Sequence, residues 1–245
     1  MFYKKSLIIG LFLLILSSVF PESSKSITLA SNDWAPYHSS DLENQGFFTE
    51  IVREAFFAVG YDLEVLFYPW NRVITLGKRG NLPGIIGAYY SKERADFFYY
   101  SELIYSSTLC FTTRSEAVID TALILDDSNI KIGVTRGYFY SDAMEEIKDS
   151  RVIFSYSDLD SLTKLLFKRI DVAIFDKEYI EYIINHNDKY RNALIVHTDQ
   201  PVISNSLHVV INKEYPNAKE IIEDFNRGLE IIKDNGLYYD IILKH

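Results

Sequence analysis

The sequence predicts an α/β protein built as two lobes with a cleft between them, and three observations carry that prediction. Short apolar runs of period two alternate with longer runs of period three to four, the pattern of strands alternating with helices in an α/β sheet. The alternation pauses in a weakly patterned, charged stretch, EAVIDTALILDDSN at 116–129, and then begins again. Beyond an N-terminal leader, about 220 residues remain, enough for one large domain or two of about 110.

In chain order, ITLAS at 27–31 reads as a short strand. FFTEIVREAFFAVG at 47–60 reads as a helix, because Phe48, Ile51, Val52, Ala55, Phe56 and Val59 recur at spacings of three and four and Gly60 supplies the stop. Alternating Leu63, Val65 and Phe67 predict a strand, 70–79 a short helix ended by Gly80, and GIIGAY at 84–89 another strand. In the second block, KIGVT at 131–135 predicts a strand, 138–148 a helix, RVIFSY at 151–156 a strand, 157–169 a helix and DVAIF at 171–175 a strand. A final helix is expected over about 217–235, with Ile221, Phe225, Leu229 and Ile232 on one face and Gly236 as its stop.

Lys4 and Lys5 precede an unbroken apolar run from Leu7 to Leu16, followed by Ser17 and Ser18. Residues 1–22 therefore read as a secretory signal peptide with an approximate cut. The rival, a membrane anchor, needs roughly 20 apolar residues and lacks a basic stop-transfer cluster here. The only cysteine is Cys110, so no lipid-bearing cysteine follows the leader and no intramolecular disulfide can form. The expected product is exported, not lipidated, and monomeric. Without the leader its net charge would be about −10 to −11, with no Lys/Arg block, which sets nucleic acid aside. With 48% apolar residues, 18 Tyr and 16 Phe, the chain has ample material for packed cores.

Enzyme signatures are largely absent. There is no H-E-x-x-H, G-x-S-x-G, Walker loop or G-x-G-x-x-G, and His38, His186, His197, His208 and His245 are scattered, so no metal or cofactor is expected. Cys110 lies in a strand-like TLCFTT run that suits a buried structural thiol better than a nucleophile.

Six segments in order, NDWAPY (32–37), PWNR (69–72), GAYYSKERADFFYYSELIY (87–105), KIGVTRG (131–137), IDVAIFDKEY (170–179) and the stretch 212–238, together resemble family 3 extracellular solute-binding proteins, the periplasmic receptors of polar amino-acid ABC transporters. The resemblance implies the type II periplasmic-binding-protein fold: two α/β lobes joined by two crossover strands, closing on a ligand. Lobe 1 would comprise 26–111 plus 207–245, and lobe 2 would comprise 112–206. It implies a small-molecule ligand, an amino acid or related carboxylate, and a membrane permease as partner in the periplasm. An orphan or sensory binding module and a periplasmic dehydratase on the same fold are the alternatives.

By the same resemblance, Arg94 of the S-x-x-R-x-x-x-F segment would clamp the ligand carboxylate, for which a planar guanidinium offers two parallel charge-assisted bonds. The bland alternative is an arginine at a helix start, paired with Glu93 or Asp96. Asp176 would accept a ligand ammonium, at the carboxyl end of its strand where open α/β sheets bind ligands; alternatively it is the N-cap of KEYIEYII. Trp34 would pack over the ligand side chain or sit in the core. Tyr89 and Gly87 match contact positions. Thr135 and Arg136 lie at a strand-to-helix turn that favours anions, although Arg136 departs from the commoner Thr and is equally a solvated loop residue. Trp70 and Arg72 would approach the cleft, or Arg72 would lie on the solvent face of its helix. Leu82-Pro83 also departs from the family's usual acidic residue, at a structural position.

Overall fold

The computed structural model describes residues 25–138, 140 and 151–245. The predicted leader and most of the predicted helix at 138–148 lie outside the described residues. The strands are β1 (Lys25–Ser31), β2 (Tyr61–Phe67), β3 (Gly84–Tyr89), β4 (Phe98–Tyr100), β5 (Tyr105–Arg114), β6 (Ile132–Thr135), β7 (Val152–Ser155), β8 (Val172–Asp176) and β9 (Leu194–Asn212). The α-helices are α1 (Phe47–Phe57), α2 (Trp70–Lys78), α3 (Lys92–Ala95), α4 (Asp158–Leu166), α5 (Lys177–His186), α6 (Asp188–Arg191), α7 (Ala218–Asp234) and α8 (Leu237–Lys244).

The strands form one sheet in the order β2-β1-β3-β9-β5-β8-β6-β7, with β4 added on β9. At one end β1 lies parallel to β2 and β3; at the other β6 lies parallel to β7 and β8. The antiparallel pair β5 and β9 runs between the two parallel ends, from Tyr105 opposite Leu207 to Arg114 opposite Leu194. Halfway along, the register slips where Leu109 opposes Ile203, Cys110 opposes Pro201 and Phe111 opposes His197. Such a bulge bends and twists a strand, and a proline that donates nothing to the ladder fits there without loss. The sheet thus consists of two parallel halves joined by two strands that bend between them, as in the type II periplasmic-binding-protein fold.

Helical periodicity dictates the packing at the first end. The apolar stripe of α1, with Ile51, Val52, Ala55 and Phe56 buried, meets the stripe of α7 carrying Ile221, Phe225, Leu229 and Ile232. The rings of Phe56 and Phe225 lie 4.9 Å apart. Gly228 lets the two backbones approach: a Cβ there would collide with the carbonyl oxygen of Ala55. On the opposite face, Val73 of α2 packs with Ile85, Phe98 and Val210. At the second end, Leu109, Phe111, Ile132, Val134, Val172 and Ile174 form a separate cluster. Ile124, from the charged stretch expected to be a boundary, is fully buried there. The structure adds β4, α6, α8 and the 19-residue strand β9, none of which was anticipated from the sequence.

Candidate functional site

The carboxyl ends of the parallel strands at the two ends of the sheet face one cleft. A small pocket open to solvent lies there, lined by Asn32 and Trp34 after β1, Trp70 at the start of α2, Gly87 and Tyr89 of β3, Arg94 of α3 and Tyr138 after β6. Its walls are mainly aromatic. Trp34 is buried and stacks on Tyr37 at 4.4 Å, with Tyr89 and Tyr138 edge-on at 6.1 and 6.5 Å.

Arg94 supplies a positive charge to this wall and is 7% exposed. Ser91 caps α3 by accepting from the Arg94 backbone N–H at 3.2 Å. The guanidinium Nη1 donates to the Tyr89 carbonyl at 3.0 Å and Nη2 to the Gly137 carbonyl at 2.7 Å, while its carbon lies 5.6 Å from the Trp70 ring centre. The aromatic company of Arg94 is therefore the wall of the cavity it lines. Trp70 Nε1 also donates to the Gly137 carbonyl, at 2.9 Å, so two residues from the first end grip one carbonyl from the second across the cleft.

Gly87 has φ +79° and no room for a side chain, since a Cβ would meet Nε2 of His38 at 2.6 Å. His38 is buried between Ser31 and the Asn32 carbonyl, and burial pushes its pKa down to about 4, so it stays neutral. Tyr89 points its hydroxyl away to Ser107 of β5, at 2.5 Å. Burial, followed by the charge of Asp176, holds that phenol well above its ordinary range.

Asp176 ends β8 and caps α5: its Oδ1 accepts from the Tyr179 backbone N–H at 2.9 Å. Its Oδ2 accepts from Tyr37 at 3.0 Å and from Ser107. Tyr37 also reaches Glu178 Oε2 at 2.9 Å, so one phenolic proton lies between two carboxyl groups. Burial first, then the Glu178 charge, pushes Asp176 up to about 7, against the stabilising donors Ser107, Tyr179 and Tyr37. Asp176 stands behind the cavity wall rather than in it, one stacked ring beyond Trp34.

A second buried carboxyl was not anticipated. Asp158, the first residue of α4 after the N-cap Ser157, accepts from Thr135 Oγ1 at 2.7 Å and from the Tyr138 hydroxyl at 3.0 Å. Burial pushes it up to about 6, opposed by the Thr135 and Tyr138 hydroxyls and the nearby Trp34 indole. Trp34 Nε1 is buried without a hydrogen bond of normal geometry, although the indole stands near enough to Asp158 to favour its charged form.

Of the residues expected at the site, Trp34, Gly87, Tyr89 and Arg94 come together on the cavity wall, as does Trp70. Thr135 is buried behind Tyr138, holding Asp158. Arg72 lies on an exposed face, 4.4 Å over the Tyr68 ring, and Arg136 is exposed over Phe154 and Tyr156 at 5.4 and 5.6 Å. Neither lines the cavity. Asn32 and Tyr138 were missed as site residues: Asn32 follows the first strand and Tyr138 was expected to open a helix, and only the fold brings them to the pocket. Among the described residues no group of three His, Cys, Asp or Glu could hold a metal, and no helix is long and apolar enough to cross a membrane.

The profile of the family described as bacterial extracellular solute-binding proteins, family 3, matches residues 27–245. Among solved structures, the chain is similar to a histidine kinase sensor domain with similarity to periplasmic binding proteins, at TM-score 0.79 and 19% identity over 91% of this chain and 96% of that one. The arginine-, lysine-, histidine-binding protein ArtJ from Geobacillus stearothermophilus is similar at TM-score 0.75 and 18% identity, over 90% and 94% of the two chains. The GluR0 ligand-binding core from Nostoc punctiforme, in complex with L-glutamate, is similar at 0.73 and 18%, over 89% and 98%. Among curated proteins no sequence matches.

Proposed function

Because the chain belongs to the bacterial extracellular solute-binding proteins, family 3, we propose that it is a receptor that captures a small amino acid or related carboxylate in its cleft. One observation carries the reading: a buried arginine, Arg94, on the wall of an aromatic cavity. A buried guanidinium surrounded by rings binds a carboxylate far better than it binds water, because the charge-assisted bonds form in a low-dielectric space. Trp34 and Trp70 would flank the remainder of the ligand. The cleft would lie between a lobe of 26–111 plus 207–245 and a lobe of 112–206, and closure would bring Gly137 against Arg94 and Trp70.

The protein would act in the periplasm after export and deliver its ligand to the permease of an ABC transporter. The neighbours titled as binding arginine, lysine, histidine or glutamate support an amino acid as the ligand class. A sensory role is the second reading, and likeness to a histidine kinase sensor domain favours it.

Calorimetric titration of the twenty L-amino acids into the wild-type protein and Arg94→Ala tests the reading. Binding by the wild type that is lost in the variant supports it; binding that ignores the substitution removes Arg94 from the site. Co-purification of a permease supports uptake, and co-purification of a kinase supports sensing.

A further inference from the structure

We propose that Tyr37, Asp176 and Glu178 form a proton-operated latch across the cleft, which shuts with one proton held between the two carboxyl groups and releases when that proton leaves. It rests on the receptor reading above for the opening and closing of the cleft. Tyr37 belongs to the loop after β1, at the first end of the sheet, whereas Asp176 ends β8 and Glu178 lies in the first turn of α5, at the second. Tyr37 and Asp176 are buried, and Glu178 is half-buried.

Counting protons fixes the state of the latch. The Tyr37 oxygen lies 3.0 Å from Asp176 Oδ2 and 2.9 Å from Glu178 Oε2, but a phenol has one proton and donates it to one of them. The second contact needs a proton on a carboxyl group, donated back to the phenol oxygen. With both groups ionised, one carboxylate would face a phenol lone pair, and two negative charges would share a site. Among the described residues, neither carboxyl group has an ion-pair partner to offset that charge. The donors on Asp176, Ser107 and the Tyr179 backbone N–H, suit one negative charge on the pair.

The surroundings make the carboxyl pair the group that titrates. Burial, then the charges of Asp176 and Glu178, holds the Tyr37 phenol well above its ordinary range, so the phenol keeps its proton. The other titratable groups facing the pair are the phenols of Tyr89 and Tyr105, the thiol of Cys110, and Lys177 and Glu181 of α5. Burial raises both phenols and pushes the thiol up to about 11, so all three are neutral at pH 7. Lys177 and Glu181 carry opposite charges. Burial and the Glu178 charge push Asp176 up to about 7, and the two carboxyl groups titrate as one unit.

Opening the cleft would take Tyr37 from the carboxyl groups and admit water, which returns their proton affinity toward the ordinary value of 3.8. Closing therefore takes up as much as one proton between those values, and a rise in pH through that window opposes closure. The latch loop also carries Trp34, which stacks on Tyr37 and lines the pocket, so the latch and the ligand wall move together.

Small-angle scattering tests the latch without a ligand. The wild type should have a larger radius of gyration at pH 8 than at pH 5. Glu178→Gln places a permanent N–H donor opposite the phenol, whose own proton is then free for Asp176; this variant should stay as compact at pH 8 as the wild type is at pH 5. Tyr37→Phe removes the bridge and should be expanded at both pH values. A contact that is merely structural would not give two variants of opposite size that both lose the pH dependence. A wild-type radius that ignores pH, or a Glu178→Gln protein that expands at pH 8 as the wild type does, overturns the latch whether or not an amino acid binds. If Tyr37→Phe does not fold, the wild type and Glu178→Gln decide alone. For any L-amino acid other than histidine that binds in calorimetry, wild-type affinity should fall by up to about tenfold per pH unit between pH 5 and pH 7, and Glu178→Gln should lose most of that slope. Equal slopes in the two proteins overturn the coupling of the latch to binding. Failure of all twenty amino acids to bind overturns the receptor reading, and the scattering comparison still decides the latch.

Discussion

At the scale of single residues, Arg94 and Asp176 make the sharpest contrast. Arg94 donates to two carbonyls, one of them across the cleft, so on the proposed reading its removal would loosen closure as well as strip a ligand carboxylate of its partner. Arg94→Ala should weaken binding by about two to four decades, since leaving a buried charge unpaired costs roughly 3–5 kcal/mol. Arg94→Lys should recover part of this, keeping the charge but not the fork; calorimetry measures both. Asp176 governs pH dependence. In the fold it keeps its proton to about pH 7, whereas its ordinary pKa is 3.8. Between those values the native state holds more protons than the unfolded chain, so the group's contribution to stability falls as pH rises, by up to about 4 kcal/mol. Asp158, pushed up to about 6, adds a slope of the same sign that ends at lower pH. The melting temperature of the wild type should therefore drop more steeply from pH 5 to pH 8 than that of Asp176→Asn, and parallel curves would show that Asp176 does not titrate there. The Asp158 carboxyl was illegible in the sequence. SDLD at 157–160 reads as a helix start, and nothing in its spacing reveals that the first aspartate turns inward to Thr135 and Tyr138.

At the scale of elements, what was legible was periodic. The stripes of α1 and α7, the alternation in β2 and the glycine stops after α2 and α7 appear where the pattern places them, because each buries one face against a single partner. The strand β9 hides its nature: HTDQPV at 197–202 carries no apolar alternation, yet His197 and Pro201 pair with β5 within one continuous strand. Its pairing is non-local, and no short window of sequence contains the partner strand that stabilises it. β4 is three residues within an aromatic run and α6 is a single turn, both too short to show a period. The helix contact that sets the first end of the sheet can be tested at Gly228. A methyl group there would strike the Ala55 carbonyl, which is backbone and cannot rotate aside. Gly228→Ala should destabilise the protein by about 1–3 kcal/mol through overpacking, despite the higher helix propensity of alanine. A lowered urea midpoint with an unchanged slope is the expected result; a raised midpoint would mean that α1 and α7 have slack.

At the scale of the whole molecule, the receptor reading proposed above would make the bend in β5 and β9 and the grip on Gly137 parts of one motion. A cleft whose two walls each hold part of a ligand gains contacts only by closing, and the bulge between Leu109 and Phe111 is where two long strands can flex without breaking either parallel half. Trp70 Nε1 and Arg94 Nη2 both donate to the Gly137 carbonyl across the cleft, and on that reading they would hold the closed arrangement. The Trp70 bond is worth about 1 kcal/mol net and the charge-assisted Arg94 bond about 1.5–3, so a closed state would be one that a ligand can select but that the bare protein need not keep. Scattering should give a smaller radius of gyration with a bound amino acid than without one. Trp70→Phe keeps the ring over Arg94 and removes one of the two bonds. Its ligand-free form should expand relative to wild type, its saturated form should match wild type, and its affinity should fall about three- to tenfold, the share of the closed population lost. A variant equally compact with and without ligand, or one that binds as tightly as wild type, would mean that the Gly137 grip does not set the balance between open and closed forms.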